Sequence, residues 1–104
     1  MSNPPKLSAD VRAAALAKAT AARRARRELK QMLKMRSLTL ADVLDKADTD
    51  ETVANTKTLS VIESLPGVGK VTARRVMEDI GIAENRRLRG LGQKQRAELL
   101  ARFD

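Results

Sequence analysis

The sequence predicts an all-α fold, and three observations support this prediction. Long stretches are rich in alanine, leucine, arginine and lysine, which favour helices. Apolar residues recur at intervals of three and four rather than two, a pattern typical of helical faces and not of strands. Glycine and proline fall mainly between these stretches, where they can end one helix and start another. With 104 residues, the chain is expected to form a single domain.

The N-terminal part is predicted to be a lead-in followed by one long helix. Residues 1–7 contain two adjacent prolines and are predicted to be flexible. Residues 8–104 are then expected to form the helical domain, with Ser8 as the N-cap of a long basic helix over residues 8–36. Its apolar stripe has bulk only in the last third, so residues 25–33 are expected to pack on the core while the first turns project.

Residues 37–56 are predicted to form short acidic connector helices. Thr39 and Asp42 have the spacing of a capping box, in which each side chain bonds the other residue's backbone amide. Asp50 is placed to cap a further turn. These segments would join the long helix to the C-terminal part of the domain.

Residues 57–104 are predicted to form the core of the domain. One helix ends before Pro66, and a second runs to Gly81, a residue type that commonly terminates helices. A last helix begins at Gln93. Its inward side chains are predicted to be Ala97, Leu100 and Phe103.

The charge of the chain indicates an anionic partner. Lysine and arginine number 21 against 13 aspartates and glutamates, for a net charge of +8. Residues 6–36 carry ten basic and two acidic residues, and residues 57–104 carry ten and six, whereas residues 37–56 carry one and five. Two basic regions therefore flank an acidic connector. Such a balance points first to nucleic acid and second to an anionic membrane surface.

Several functional classes are disfavoured by missing residue types. The chain contains no cysteine, no histidine and one aromatic residue, Phe103. Thiolate catalysis, zinc–thiolate sites and stacking of bases on aromatic side chains therefore lack their usual residues. No apolar run approaches the roughly 20 residues that a membrane span requires. We expect no catalytic site, no metal, no cofactor and no small-molecule substrate.

The turn between the two predicted core helices is the most informative stretch. Proline, two glycines and a lysine precede a helix start, whose unpaired amides form a natural anion site. An NTP-binding loop does not fit, because Ser64 stands where the pattern needs glycine and Val71 where it needs a hydroxyl. A purely structural corner remains an alternative. The candidate phosphate-binding residues are Pro66, Gly67, Val68, Gly69 and Lys70.

A basic stripe on the long helix is the second candidate surface. At ~100° per residue, Arg23, Arg27, Lys30 and Lys34 fall within about 60° of one another. The stripe spans about 16 Å, long enough to meet several phosphates of a duplex. The alternative is a solvated charged face without a ligand.

At this point the residues resemble a known family. The stretch Leu65–Lys70, the spacing of Ala73 and Ile80, and the stretch Arg86–Gly92 are similar to the helix–two-turns–helix core of actinobacterial integration host factor. The resemblance extends to the alanine- and arginine-rich N-terminal helix. It implies a monomeric, all-helical, nucleoid-associated protein that binds double-stranded DNA with little sequence preference. The absence of cysteine is compatible with the expected location in the cytoplasm. It also implies a role in DNA compaction and topology and in phage integration.

The resemblance implies three groups of DNA-binding residues and leaves one main rival. Beside the turn, it implies an arginine cluster and a basic face on the long helix. Two such surfaces could bend or bridge DNA. The rival is a ribosomal-protein-like RNA-binding module, since such proteins use a similar glycine turn. Membrane binding is disfavoured because the apolar face of the long helix is mostly alanine. The residues implied are Arg86, Arg87 and Arg89 for the cluster, and Arg23, Arg24, Arg27 and Lys30 for the helix face.

Overall fold

Six α-helices and one 3₁₀ turn form the computed structural model, which describes residues 5–103 and the side chains from Ser8 onward. No strand occurs within this range, although Lys57 and Arg87 form one isolated antiparallel bridge. The predicted all-α fold is confirmed. The elements are α1 Pro5–Lys34, α2 Leu40–Ala47, α3 Glu51–Ala54, α4 Thr58–Glu63, α5 Lys70–Ile80, the 3₁₀ turn Leu88–Gly90 and α6 Gln93–Phe103.

Helix α1 begins earlier than predicted. It starts at Pro5 rather than after Ser8, so the prediction that Ser8 caps the helix was wrong. The physical reason is that proline is well tolerated in the first turn, where its missing N–H has no partner to lose. Residues 1–4 of the predicted flexible lead-in lie outside the described residues.

Only the C-terminal part of α1 reaches the core. Leu29 and Leu33 are buried, whereas Val11 and Leu16 are 63% and 60% exposed. The projection of the first turns was therefore predicted correctly. Ala25, expected to pack on the core, is exposed instead. Because the free part of the helix extends the molecule, its dimensions are 56 × 27 × 26 Å.

The predicted caps of the connector helices are confirmed. The backbone amide of Asp42 donates to Thr39 Oγ1 at 3.1 Å, and the amide of Thr39 donates to Asp42 Oδ2 at 2.9 Å. The bond from the Thr39 amide, with a smaller contribution from the Thr39 side chain, favours the charged carboxylate and holds the pKa of Asp42 below its usual value. Asp50 Oδ1 accepts from the amides of Thr52 and Val53 and caps α3. Gly81 ends α5 in a left-handed conformation, with φ of 86°.

One continuous apolar core joins the end of α1 to the other helices. In α6 the fully buried side chain is Leu99, whereas Ala97 is exposed and Leu100 and Phe103 are partly buried. The prediction for Ala97 was wrong, because α6 is rotated to bring the larger Leu99 inward, where it removes more apolar surface from water. The other fully covered core side chains are Leu33, Val43, Val61, Ile62, Ala73, Met77 and Leu88.

Candidate nucleic-acid interface

The turn between α4 and α5 lies on the surface. Pro66, Gly67 and Gly69 are exposed, and Gly67 has φ of +77°, a conformation that L side chains rarely adopt. Val68 is half-buried and packs against the core, and its amide donates to the carbonyl of Leu65 at 3.1 Å. The amide of Val68, expected to bind phosphate, is therefore already used within the turn. The amides of Gly67 and Gly69 donate to no acceptor among the described residues.

The start of α5 presents further unpaired donors. Gly69 is the N-cap, with φ of −93° and ψ of 178°, and no side chain caps the helix. The first bond onto Gly69 is from the amide of Ala73, at 3.0 Å. The amides of residues 70–72 are therefore left without intrahelical partners. A Cβ placed on Gly67 or Gly69 would meet no atom within 4 Å, so the Cα of each glycine faces open space.

A groove between α1 and α4 leads directly to this turn. Lys34 borders both the groove and the hollow above the turn, as does Glu63, the one acidic residue among their lining side chains. Lysines and arginines thus outnumber acids along the path formed by this groove and the hollow above the turn. The groove is lined by Arg27, Lys30, Gln31, Lys34, Met35, Ser60, Glu63 and Ser64.

A second hollow, the four-cation pocket, continues from Lys30. It lies where α1 and the start of α4 meet the arginine-rich connection before α6. Its lining contains two hydroxyl-bearing residues and no carboxylate. The residues that line it are Arg26, Lys30, Thr56, Lys57, Ser60 and Arg87.

The three arginines of the predicted cluster point to different neighbours. Arg86 Nη1 donates to the carbonyl of Gly90 at 2.7 Å, and Arg87 Nη1 donates to the carbonyl of Asn55 at 2.7 Å. Arg89 lies 3.8 Å from Glu51 in an exposed ion pair of little expected strength. Only Arg87 borders the four-cation pocket. The three guanidinium groups therefore have three separate partners, and of the three only Arg87 lines the pocket.

The predicted helix face also divides. Arg27 and Lys30 line the groove, whereas Arg23 lies on the projecting part of α1, where it donates to Thr20 at 3.3 Å. Arg24 is exposed and lines neither the groove nor the pocket. The structure thus places only part of the predicted face beside the turn.

The sequence analysis did not include two residues of the candidate interface, Arg26 and Lys57. Arg26 lies one helical turn before Lys30 and borders the four-cation pocket, so an i,i+4 comparison could have found it. Lys57 is brought there by the bridge to Arg87, for which the sequence carries no local signal.

The charges along this path are not neutralised within the described part of the protein. The ion pairs in that part involve Arg74, Arg89, Arg96 and Arg102. None of them involves a lysine or arginine of the groove or the pocket.

Between residues 5 and 103, no cluster of side chains is suited to hold a metal ion. None of the helices described is long and apolar enough to cross a membrane.

Comparisons with known proteins place this geometry in a family. Residues 33–103 match the model of the S13-like H2TH domain. The chain is 52% identical over 100 residues to the integration host factor of Mycolicibacterium smegmatis, an alignment that covers 96% of this chain and 95% of the relative. It is 50% identical to the integration host factor of Mycobacterium tuberculosis and 46% identical to that of Streptomyces coelicolor, with 95% of this chain covered in both cases and 94% and 92% of the relatives.

A solved structure shares the fold. It shows sIHF bound to an 8-base-pair palindromic DNA, with a TM-score of 0.81 and 45% identity. The alignment covers 84% of this chain and 98% of that chain.

Proposed function

Because this chain belongs to the actinobacterial integration host factor family, we propose that it is a nucleoid-associated protein that binds double-stranded DNA. The partner follows from the relatives' name and from the solved structure of sIHF with DNA. In this proposal the protein acts as a monomer in the cytoplasm and has no enzymatic activity.

The observation that carries the proposal is the open set of amides at the start of α5. The amides of Gly67 and Gly69 and of residues 70–72 would bind the phosphates of one strand, and Lys70 would add charge. Contacts of this kind give affinity and orientation without recognising bases. Binding would therefore be tolerant of sequence.

The groove extends the same contact along the duplex. Lys34, Lys30 and Arg27 continue from the turn, and duplex DNA presents one phosphate charge per about 1.7 Å of its axis. A duplex held at the turn would thus meet these side chains as a neighbouring run of phosphates. The paucity of acids along this path supports an anionic partner.

Arg23 and Arg24 would form a second DNA surface on the projecting part of α1. Both are exposed and lie outside the groove, so they could contact another duplex or a distant part of a bent one. Bending a short site costs a few kcal/mol, which these added phosphate contacts would offset. Bridging and bending would in turn support DNA compaction, changes in topology and phage integration.

The test is a fluorescence-anisotropy titration with two duplexes of unrelated sequence at several salt concentrations. We expect similar affinities for both, and a fall of log affinity with log salt of about 0.9 per phosphate neutralised. Structured RNA added as competitor tests the S13-like RNA-binding alternative. Preferential displacement by RNA would favour that alternative, and strong preference for one duplex would indicate base recognition.

A further inference from the structure

The four-cation pocket differs in character from the open turn. It is concave and lined by Arg26, Lys30, Lys57 and Arg87, together with Thr56 and Ser60. No carboxylate belongs to its lining, and none of these cations forms an ion pair with the described acids. Four basic side chains that border one small hollow repel one another, so an anion in that hollow would lower their electrostatic energy.

Part of the pocket is already organised for such an anion. Arg87 Nη1 is held by the carbonyl of Asn55 at 2.7 Å, which restrains the guanidinium and leaves its other nitrogens available. Thr56 is 2% exposed, and its hydroxyl donates to the carbonyl of Thr52 at 2.9 Å, which restrains this part of the pocket wall. The backbone pairs Thr58 N with Arg86 O and Leu88 N with Thr56 O, each at 3.0 Å, hold the wall of the pocket together.

The charge of the pocket indicates what kind of anion would fit. Each phosphodiester of a nucleic acid carries one negative charge, whereas a terminal phosphate carries close to two. Four basic residues at one hollow therefore exceed what one backbone phosphate needs and match the charge of a short chain of linked phosphates. The volume, about 270 Å³, suits such a chain and falls below the range typical of pockets that enclose whole drug-sized ligands. No aromatic side chain is present to stack a base.

We propose that the four-cation pocket is a binding site for a linear oligophosphate, either inorganic or the phosphate tail of a nucleotide whose base remains in solvent. This goes beyond DNA binding, because the site takes a free ligand. Lys30 also lines the groove, so an oligophosphate bound there would compete with DNA if DNA binds as proposed above. The competition rests on the proposed function, whereas the binding of the ligand does not.

The test begins with the full chain and no DNA. Inorganic tripolyphosphate is titrated into the protein by calorimetry at constant ionic strength, with sulfate and AMP as controls. We expect saturable one-to-one binding that is at least about tenfold tighter than that of either control, since charge-assisted hydrogen bonds to several phosphates add. Equal affinity for ATP and tripolyphosphate would show that only the phosphates are bound, whereas tighter ATP would show a contact with the base. Affinity no better than that of sulfate would overturn the proposal.

Variants locate the site. Arg26→Ala and Lys57→Ala should each weaken tripolyphosphate by about tenfold, the effect of losing one charge-assisted bond. Arg75→Ala and Lys46→Ala remove the same charge outside the pocket, and each should change affinity by less than about twofold. Far-UV circular dichroism verifies that each variant is folded. Equal losses in all four variants would mean nonspecific attraction and would overturn the site.

An NMR titration provides a readout that does not depend on mutation. Tripolyphosphate should shift the amide resonances of Thr56 and Ser60 before those of Gly67 and Gly69. The reverse order would place the anion at the turn and would refute the proposed pocket site.

A final experiment measures competition with DNA. Tripolyphosphate should displace duplex DNA from the wild-type protein more readily than from Lys57→Ala. A protein that binds tripolyphosphate but no DNA would refute the proposed function and leave the pocket intact.

Discussion

Arg87 and Asn55 are joined across the domain: the guanidinium Nη1 of Arg87 donates to the backbone carbonyl of Asn55 at 2.7 Å. The two residues are 32 positions apart in sequence. Their bond fastens the arginine-rich connection to the junction between α3 and α4. Arg87, which the family resemblance implies is a DNA-binding residue, therefore also has a structural partner within the protein.

Arg87→Ala should lower stability as well as binding. Loss of this charged bond to a backbone carbonyl is expected to reduce the free energy of unfolding by about 1 kcal/mol. Arg89→Ala is the matched control, because Arg89 forms one ion pair with a described residue, an exposed contact of 3.8 Å with Glu51. Its loss should cost about 0.5 kcal/mol or less. Urea denaturation of both variants measures the difference. Identical midpoints would show that the bond to Asn55 contributes nothing.

Gly69→Asp should separate stability from DNA binding. The backbone of Gly69 already has the extended conformation of an N-cap, and a Cβ there meets no atom within 4 Å. An aspartate would cap α5 and stabilise the domain by a few tenths of a kcal/mol. Its carboxylate would occupy the amides that the proposal assigns to phosphate, so DNA affinity should fall by at least about tenfold.

Thermal unfolding and anisotropy titration measure the two effects of Gly69→Asp. Gly69→Ser serves as a control that caps the helix without adding a charge, and it should weaken DNA binding less. If Gly69→Asp bound DNA as tightly as the wild type, the amides at the start of α5 would not be the phosphate site.

Lys34→Ala and Arg24→Ala should differ in their effect on DNA binding. Lys34 borders both the groove and the turn, whereas Arg24 lies outside both. Loss of one phosphate contact at Lys34 should reduce the slope of log affinity against log salt by about 0.9. For a short duplex that meets only the turn and groove, Arg24→Ala should leave the slope unchanged. A larger effect from Arg24 would move the primary surface to the far side of α1.

Acid should remove the contribution of the capping box to stability. The pKa of Asp42 is lowered in the folded protein by its bonds to the amide and hydroxyl of Thr39. Its contribution is therefore fully present above the unfolded-state pKa and is lost as pH falls through the lower folded-state pKa. Asp42→Asn should be less stable than the wild type at neutral pH, and the difference should shrink in acid.

Urea denaturation of Asp42→Asn at neutral pH and at successively lower pH measures this effect. Asp45→Asn, on the same helix, is the control, because the Asp45 carboxylate accepts no hydrogen bond from a described residue. A difference that stayed constant with pH would argue against stabilisation by the charged form.

Features set by neighbouring residues were predictable from the sequence. Thr39 and Asp42 lie three positions apart and satisfy each other's amides, and Gly81 ends α5 by a local conformational preference. In both cases the interaction involves a single turn of chain. The exposed turn at Gly67 and Gly69 was predicted on the same basis.

Features set by the docking of distant segments were not predictable. The rotation of α6, which exposes Ala97 and buries Leu99, depends on the shape of the core it covers. The place of Lys57 beside Arg87 depends on a bridge across 30 positions of chain. One local feature was also not predictable. The amide of Val68 donates to the carbonyl of Leu65, but several turn types with different hydrogen bonds fit the same residues.

The projecting part of α1 has a thermodynamic consequence of its own. No side chain between residues 8 and 28 is buried, so this arm gains little from the core that supports Leu29 and Leu33. Most helices in proteins owe their stability to tertiary packing, which this arm largely lacks. The arm can therefore fray and re-form while the rest of the molecule stays folded. Heating should produce a gradual early loss of ellipticity ahead of the cooperative transition, and polyanions that neutralise its arginines should delay that loss.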